Sequence, residues 1–390
     1  MTTPIIFLSY SRKNLSDTKF IAGTIMAHGL QVWQDIENLG GGLTEAQVRE
    51  IISGNLDGLL YFITQESINS TFICEIELPE AENRYRNNKN FQIVPIFDIP
   101  IENAVAALKP YTSVPISNFN GAILKNKFSN RELNIVKAAS KAAEIILMSL
   151  DLSSNDTIFI GVSSKQKVME KVNLNFDYMN YFKSGYPDVN TWNKIFLPAI
   201  NSVKNIIIDK NIRKIKFSAY AHLTFGYLFG FVFSRIAGFQ ISIEQRTNTE
   251  SAIWSSENGP SDHNLKIVEL SGDIESDVVC IKINLMSLDN ESVNRYAENA
   301  NLSFRVTLEY IPPDYPYMIT EGEAIKIGIE IAQEIKRMHA KYGTIKTHIF
   351  AAIPFGLSLF IGYNLNAVGT VQCYEFDNAV REYIPSCTIF

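Results

Sequence analysis

At 390 residues the chain is too long for one ordinary core and suits two or three domains of roughly 100–200 residues each. Hydrophobic residues make up 46% and charged residues 19%, which excludes a disordered chain. The net charge of −6, with no basic run, argues against a surface built to wrap DNA or RNA, whereas a small anionic ligand needs only a few local donors.

The chain opens MTTPIIFLSYSRKN, with neither a basic leader nor a small-residue cleavage site, and reads as a first strand rather than a signal peptide. Short apolar runs then recur at Ile5–Leu8, Leu30–Trp33, Leu59–Ile63 and Ile93–Phe97, with helix-length segments between them. Thr44 with Gln47, and Ser129 with Glu132, carry the spacing of a capping box at the head of two of those helices, the second running to about Leu150. Runs apolar throughout suit strands covered on both faces, so the alternation predicts a parallel sheet flanked by helices. Ligands on such sheets bind beyond the carboxyl ends of the strands, here Ser9-Tyr10-Ser11-Arg12, Gln34-Asp35 and Thr64-Gln65-Glu66-Ser67.

After Leu150 the segment DLSSND is small and polar and is read as a linker. Beyond it, Phe217–Gln245 resembles His348–Phe376. Each reads strand, short loop, Phe-Gly, apolar helix, glycine, strand, acidic residue, and each follows a helix-like segment (Ile195–Ile208 and Glu323–His339). Phe225-Gly226 matches Phe355-Gly356, Gly238 matches Gly369, and Glu244 matches Glu375 after a one-residue shift. The long period points to a duplicated α/β half-domain rather than a solenoid. Two such halves would turn the loops Ala221–Thr224 and Ala352–Pro354 toward one pocket. Glycine would let backbone approach a ligand, and the following helix N-termini would offer N–H groups to a phosphate. The longest apolar stretches, Leu223–Phe233 and Ile353–Phe360, fall short of the ~20 residues that span a bilayer, so no membrane partner is expected. Cys74, Cys280, Cys373 and Cys387 form no CxxC pair and the five histidines are scattered, so the expectation is reduced thiols, a cytoplasmic setting and no metal.

Three segments in order, IIFLSYSRKN, LQVWQDIENLGGG and LLYFITQESINSTFICEIEL, resemble a TIR domain over residues 1–150. The resemblance implies a flavodoxin-like α/β fold with a parallel sheet, a glycine-bearing loop at Gly40–Gly42, and cleavage of NAD+ by a glutamate. In the family's S-x-W-C-x-x-E-L pattern Ile73 stands at the tryptophan, Cys74 at the cysteine and Glu77 at the glutamate. Helical spacing sets Cys74, Leu78, Ala81 and Tyr85 on one buried stripe with Glu77 on its flank, roughly 70° away, and Glu75 on the opposite side as second candidate. NAD+ is then substrate rather than cofactor, and Ser9, Tyr10, Arg12, Trp33 and Asp35 are candidates for binding it. Arg12 would pair with the pyrophosphate, Tyr10 or Trp33 would stack on a ring, and Asp35 would take a hydroxyl.

Residues 155–390, through KIKFSAYAHLTFGYLFG, IVELS and THIFAAIPFGLSLFIGYNLNAVGTVQCYE, resemble a SAVED domain made of two CARF-like, Rossmann-like halves, placed at about 155–311 and 312–390. That resemblance implies sensing of a cyclic oligonucleotide, of cyclic tri-adenylate type, in an anti-phage CBASS system, with end-to-end homo-oligomerisation that brings TIR domains together. Candidate ligand contacts are His222, Leu223, Thr224, Phe225, Arg246, Trp254, Pro354, Phe355 and Gly356. The leading expectation is a nucleotide-activated NAD+ glycohydrolase. Two others stand beside it: a non-catalytic TIR scaffold under nucleotide control, and a constitutive enzyme whose C-terminal half only oligomerises.

Overall fold

A computed structural model describes residues 2–34, 44–125, 130–152, 156–246, 251–315, 317–343 and 346–390. Asp35, the Gly40–Gly42 loop and Ser129 lie outside the described residues. Two compact units emerge: Met1–Gly161 with Met169–Asn180 and Asn205–Ile212, and Val162–Val168 with Tyr181–Lys204 and Arg213–Phe390. The division is thus more interleaved than one linker at 151–156 would give.

In the first unit β1 (Ile5–Ser9), β2 (Gln31–Trp33), β3 (Gly58–Ile63), β4 (Gln92–Phe97) and β5 (Ala122–Ile123) form a sheet of order β2-β1-β3-β4-β5. All of its pairings are parallel, and this is the flavodoxin-like order. The first four strands fall where their apolar runs predict; β5 is too short to leave a run. Phe7, Leu59, Tyr61, Ile63, Ile93 and Phe97 share one core cluster with Ile73, Cys74, Leu78 and Ala81. The helices are α1 (Leu15–Ala27), α2 (Glu45–Ser53), α3 (Leu78–Asn87), α4 (Ile101–Leu108) and α5 (Arg131–Ser149). Thr44 and Gln47 close the expected capping box on α2. On α5 the N-cap is Asn130, whose side chain accepts from the N–H groups of Glu132 and Leu133.

Ahead of α3 the segment Ile73–Glu77 is a π turn, in which Leu78 N–H reaches back five residues to Ile73 O. Proline explains it. Pro79 has no N–H, and its ring excludes the carbonyl four residues back, so the turn before it widens. The same widening occurs at Trp192–Phe196, again just before a Leu-Pro pair, with Leu197 N–H bonded to Trp192 O. The extra residue corrects the stripe drawn from α-helical spacing. Glu77 joins Cys74, Leu78 and Ala81 inside, at 8% exposure, whereas Tyr85 rotates out to 36%, edge-on to Phe119.

Strands β6 (Thr157–Ser163), β7 (Leu174–Asp177), β8 (Lys214–Tyr220), β9 (Gln240–Arg246) and β10 (Ser251–Ser255) form a second sheet of order β10-β9-β8-β6-β7. Helix α6 (Leu197–Asp209) precedes β8, and α7 (Leu223–Val232) links β8 to β9. A third sheet, of order β11-β13-β12-β14-β15-β16, holds β11 (Lys266–Ser271), β12 (Val278–Asn284), β13 (Val306–Ile311), β14 (Lys346–Ala352), β15 (Val371–Asp377) and β16 (Glu382–Ile389). Helices α8 (Asn290–Asn299), α9 (Glu321–Tyr342) and α10 (Phe355–Asn364) follow β12, β13 and β14. The strand–helix–strand repeat is therefore real, with β8-α7-β9 matching β14-α10-β15. Its halves do not divide at 311–312, because β12 and β13 pair in the same sheet as β14; the division falls between β10 and β11.

Helices α7 and α10 are knitted together by small residues. A Cβ on Gly226 would lie 1.9 Å from Ser358 Oγ, one on Gly230 2.1 Å from Leu359 O, and one on Gly362 2.2 Å from Tyr227 O. These glycines serve helix-to-helix approach, and a Cβ on Gly356 would meet Gln245 and Trp254, which corrects the reading that the glycine after each loop admits a ligand.

Candidate functional sites

At the carboxyl end of β1, Ser9 is the register partner of Tyr61 in β3. The π turn brings Glu77 to them, and Ser9 Oγ donates to Glu77 Oε2 at 2.5 Å. Ser9 is 1% exposed and Glu77 8%, so the pair is nearly enclosed by protein. The flanking loops are tied: Thr64 Oγ1 donates to Asn14 Oδ1 (2.8 Å) and Asn14 Nδ2 to Glu66 Oε2 (3.4 Å). The Glu66 carboxyl is held below its ordinary range first by its own backbone N–H and then by the Asn14 and Thr64 side chains. Cys74 places its thiol 3.5 Å from Ile68 O, and burial with the nearby Glu75 and Glu77 charges pushes it up to about 11, so it stays a thiol at neutral pH. Burial likewise raises the Tyr61 phenol.

Of the sequence candidates, Ser9 and Glu77 meet directly. Tyr10 is 8% exposed, and Arg12 is exposed in the turn Arg12–Asn14 just after β1. Trp33 stacks on Phe7 at 5.0 Å and 12°, so one ring face is core. Glu75 is exposed. A carboxylate fixed at strand ends in a nearly dry setting can stabilise positive charge developing on a sugar, as the carboxylates of glycosidases do.

In the second unit each half closes its crevice in the same way. Beyond β6, the N–H groups of Ser164, Lys165 and Gln166 converge on Tyr220 O at 3.1, 2.9 and 3.3 Å. Beyond β12, those of Leu285 and Met286 converge on Ala352 O at 3.1 and 3.0 Å. Both crevices lie where strand order reverses, between β6 and β8 and between β12 and β14.

The helix N-termini at these crevices already hold protein groups. Thr224 N–H donates to Glu375 Oε1 (2.7 Å), and Gly356 N–H donates to Gln245 Oε1 (2.8 Å). Each half thus caps the other half's helix, from β15 onto α7 and from β9 onto α10. The equivalent of Glu375 in the repeat is therefore Gln245 and not Glu244, which instead pairs with Arg246 at 2.6 Å. Burial raises the Glu375 carboxyl above its ordinary range, against the lowering effect of the Thr224 N–H.

The other sensor candidates divide by exposure. Thr224 and Phe225 are fully buried, Phe225 against Trp192 (4.6 Å) and Phe196 (5.6 Å). Trp254, 6% exposed, covers Gly356, where a Cβ would lie 2.7 Å from its ring. His222 is 8% exposed, stacked on Phe182 at 4.1 Å and 9°. Its N–H donates to Ser164 Oγ (2.9 Å), and its Nδ1 lies 2.8 Å from the same hydroxyl. Burial, reinforced by the Lys165 ammonium, brings its imidazole down to about 3, so it is neutral. These four are packing residues in this arrangement, because protein covers their faces. Leu223, Arg246, Pro354 and Phe355 are partly exposed, and the Arg246 guanidinium lies 4.7 Å over the Tyr220 ring. Sequence reading missed Lys165, an exposed cation on the turn bonded to Tyr220 O; only its place just after an apolar strand hinted at it.

Among the described residues no group of three His, Cys, Asp or Glu side chains could hold a metal ion, and no helix is long and apolar enough to cross a membrane.

Residues 200–389 match the model of the family described as "SMODS-associated and fused to various effectors sensor domain", and the chain carries that SAVED domain there. No curated protein matches the sequence. Among solved structures, the chain is similar to the Acinetobacter baumannii Cap4 SAVED/CARF-domain containing receptor with the cyclic trinucleotide 2'3'3'-cAAA, at 14% identity over 80% of this chain and 85% of that one, with a TM-score of 0.51. The same receptor with 3'3'3'-cAAA matches at 14% identity over 89% and 86%, again at 0.51. At such identity the likeness is one of fold.

Proposed function

We propose that the chain is an NAD+ glycohydrolase of anti-phage defence, switched on when its SAVED domain binds a cyclic oligonucleotide and draws copies together through their N-terminal, TIR-like units. The observation that carries the enzymatic half is the Ser9–Glu77 pair, a carboxylate anchored at the strand ends of a flavodoxin-like sheet. In NAD+ the leaving nicotinamide already bears positive charge, so its departure needs no general acid. Glu77 stabilises the oxocarbenium-like ribose or holds its hydroxyls, and Arg12, exposed just after β1, would meet the pyrophosphate. The sensing half is supported by the SAVED match, and by Cap4 receptors of similar fold whose structures hold cyclic tri-adenylates. The ligand would lie over the two crevices, with Lys165 and Arg246 meeting its phosphates and Tyr220, Pro354 and Phe355 its bases. The site of action is the cytoplasm, with neither nucleic-acid polymer nor membrane as partner.

The test is NAD+ consumption by the purified chain with and without cyclic di-, tri- and tetranucleotides, beside Glu77→Ala. Cleavage that needs one cyclic nucleotide and disappears in the variant supports both halves. Ligand binding without cleavage would refute the glycohydrolase and leave a nucleotide-controlled scaffold.

A further inference from the structure

Two features far apart in sequence act on Glu77 at the strand ends. The first is the π turn. Had Ile73–Glu77 kept α-helical spacing, Glu77 would be displaced by about one residue's angular step, roughly 100°, relative to the sheet. Pro79 disfavours that alternative, because a proline there can neither donate to the carbonyl four residues back nor make room for it. That the chain widens its helix at both of its Leu78-Pro79 and Leu197-Pro198 steps ties the geometry to the proline rather than to local packing. The second is Ser9, the last residue of β1. It follows Phe7 on the face that packs under Ile73 and Cys74, where an apolar side chain would complete the cluster. A hydroxyl at 1% exposure instead spends its proton on Glu77 Oε2. A buried serine loses its water, so its hydrogen bond to Glu77 Oε2 is favoured and fixes that oxygen in place.

We infer that Ser9 and Pro79 are the positioning residues of the glycohydrolase site: Pro79 turns the Glu77 carboxylate inward through the π turn, and Ser9 locks its rotamer, so that neither needs to touch NAD+. This rests on the glycohydrolase reading above and departs from the expectation that Ser9 binds NAD+ itself.

The experiment measures kcat and KM for NAD+ in the full chain with its activating cyclic nucleotide, for wild type, Ser9→Ala, Ser9→Thr, Pro79→Ala and Glu77→Ala. Loss of one hydrogen bond to a carboxylate predicts that Ser9→Ala lowers kcat roughly 10- to 100-fold with KM for NAD+ within about twofold. Ser9→Thr, which keeps the hydroxyl, restores most of that rate. Pro79→Ala lowers kcat at least about fivefold without lowering Tm, since alanine is the better helix former. Wild-type kcat in Ser9→Ala overturns the assignment, as does an equal loss in Ser9→Thr accompanied by a fall in Tm, which is the mark of general packing. A rise in KM alone would return Ser9 to substrate binding and also overturns it. If wild type and Glu77→Ala are equally silent with every cyclic nucleotide, the glycohydrolase reading fails and this assignment with it, an outcome distinct from an active wild type with an indifferent Ser9→Ala.

Discussion

Replacing Gly230 by alanine tests the join between the two sensor halves. The new methyl would sit 2.1 Å from the carbonyl oxygen of Leu359 and 2.6 Å from the amide nitrogen of Tyr363. Both are backbone atoms of α10, so no side chain can swing aside, and α7 must retreat by at least about 1.3 Å to reach ordinary contact. A gap of that size forfeits about half or more of each dispersion contact along the helix pair, and overpacking of this kind costs about 3 kcal/mol. Alanine's higher helix propensity returns about 1 kcal/mol, leaving a net loss of about 2 kcal/mol. Gly259 is the control, because a Cβ there meets nothing within 4 Å. Urea unfolding of the full chain, followed by tryptophan fluorescence, reads the sensor through Trp192 and Trp254, which are 1% and 6% exposed. The expected result is a lowered midpoint for Gly230→Ala and an unchanged one for Gly259→Ala. Equal midpoints for the two variants would refute the close-packed helix pair.

The exchanged caps predict opposite outcomes at one position. Glu375→Gln keeps an acceptor for Thr224 N–H while removing a buried charge, so it leaves stability at pH 7 unchanged or higher, whereas Glu375→Ala costs about 1–3 kcal/mol, both read by urea unfolding. Because burial raises the Glu375 carboxyl in the folded state, its contribution to stability is full below the ordinary glutamate range and is lost as pH rises through its folded value; a pH series on wild type and Glu375→Gln should diverge in that direction. His222, held down to about 3, should show no imidazole titration by NMR between pH 8 and 5, and its neutral form stabilises the fold above the ordinary histidine range and progressively less as pH falls toward 3. Lys165→Ala should weaken cyclic-nucleotide binding about tenfold and flatten its salt dependence, measured by calorimetry at two ionic strengths, while leaving Tm unchanged.

Much of this architecture was legible because it is written in apolar runs. Ile5–Leu8, Leu59–Ile63 and Ile93–Phe97 are buried on both faces, and such strands announce themselves. The Thr44–Gln47 cap was legible for the same local reason. What escaped was set by backbone accounting between residues. The π turn is invisible to a fixed angular step, since it arises from the N–H that Pro79 lacks. The match of Gln245 to Glu375 was hidden by the one-residue difference between the repeats after Phe-Gly, which made Glu244 look like the equivalent. Beyond their apolar tone, β6 (TIFIGVS) and β12 (VVCIKIN) share no pattern, so the earlier part of each half could not be paired by eye. The glycine after each loop was read as letting backbone approach a ligand, whereas Ser358 fills that space at Gly226 and Gln245 with Trp254 fills it at Gly356.

The glycine-lined join also has a consequence for how the protein is made. Helix α7 leaves the ribosome about 130 residues before α10, which at ~5–20 residues per second leaves its contact face uncovered for roughly 7–26 s. During that interval the first sensor half has its strands but lacks both the helix it packs against and the carboxylate that caps it. The SAVED domain therefore matures only as its last stretch is translated, and a message cut short before α10 would yield an N-terminal unit carrying an incomplete domain.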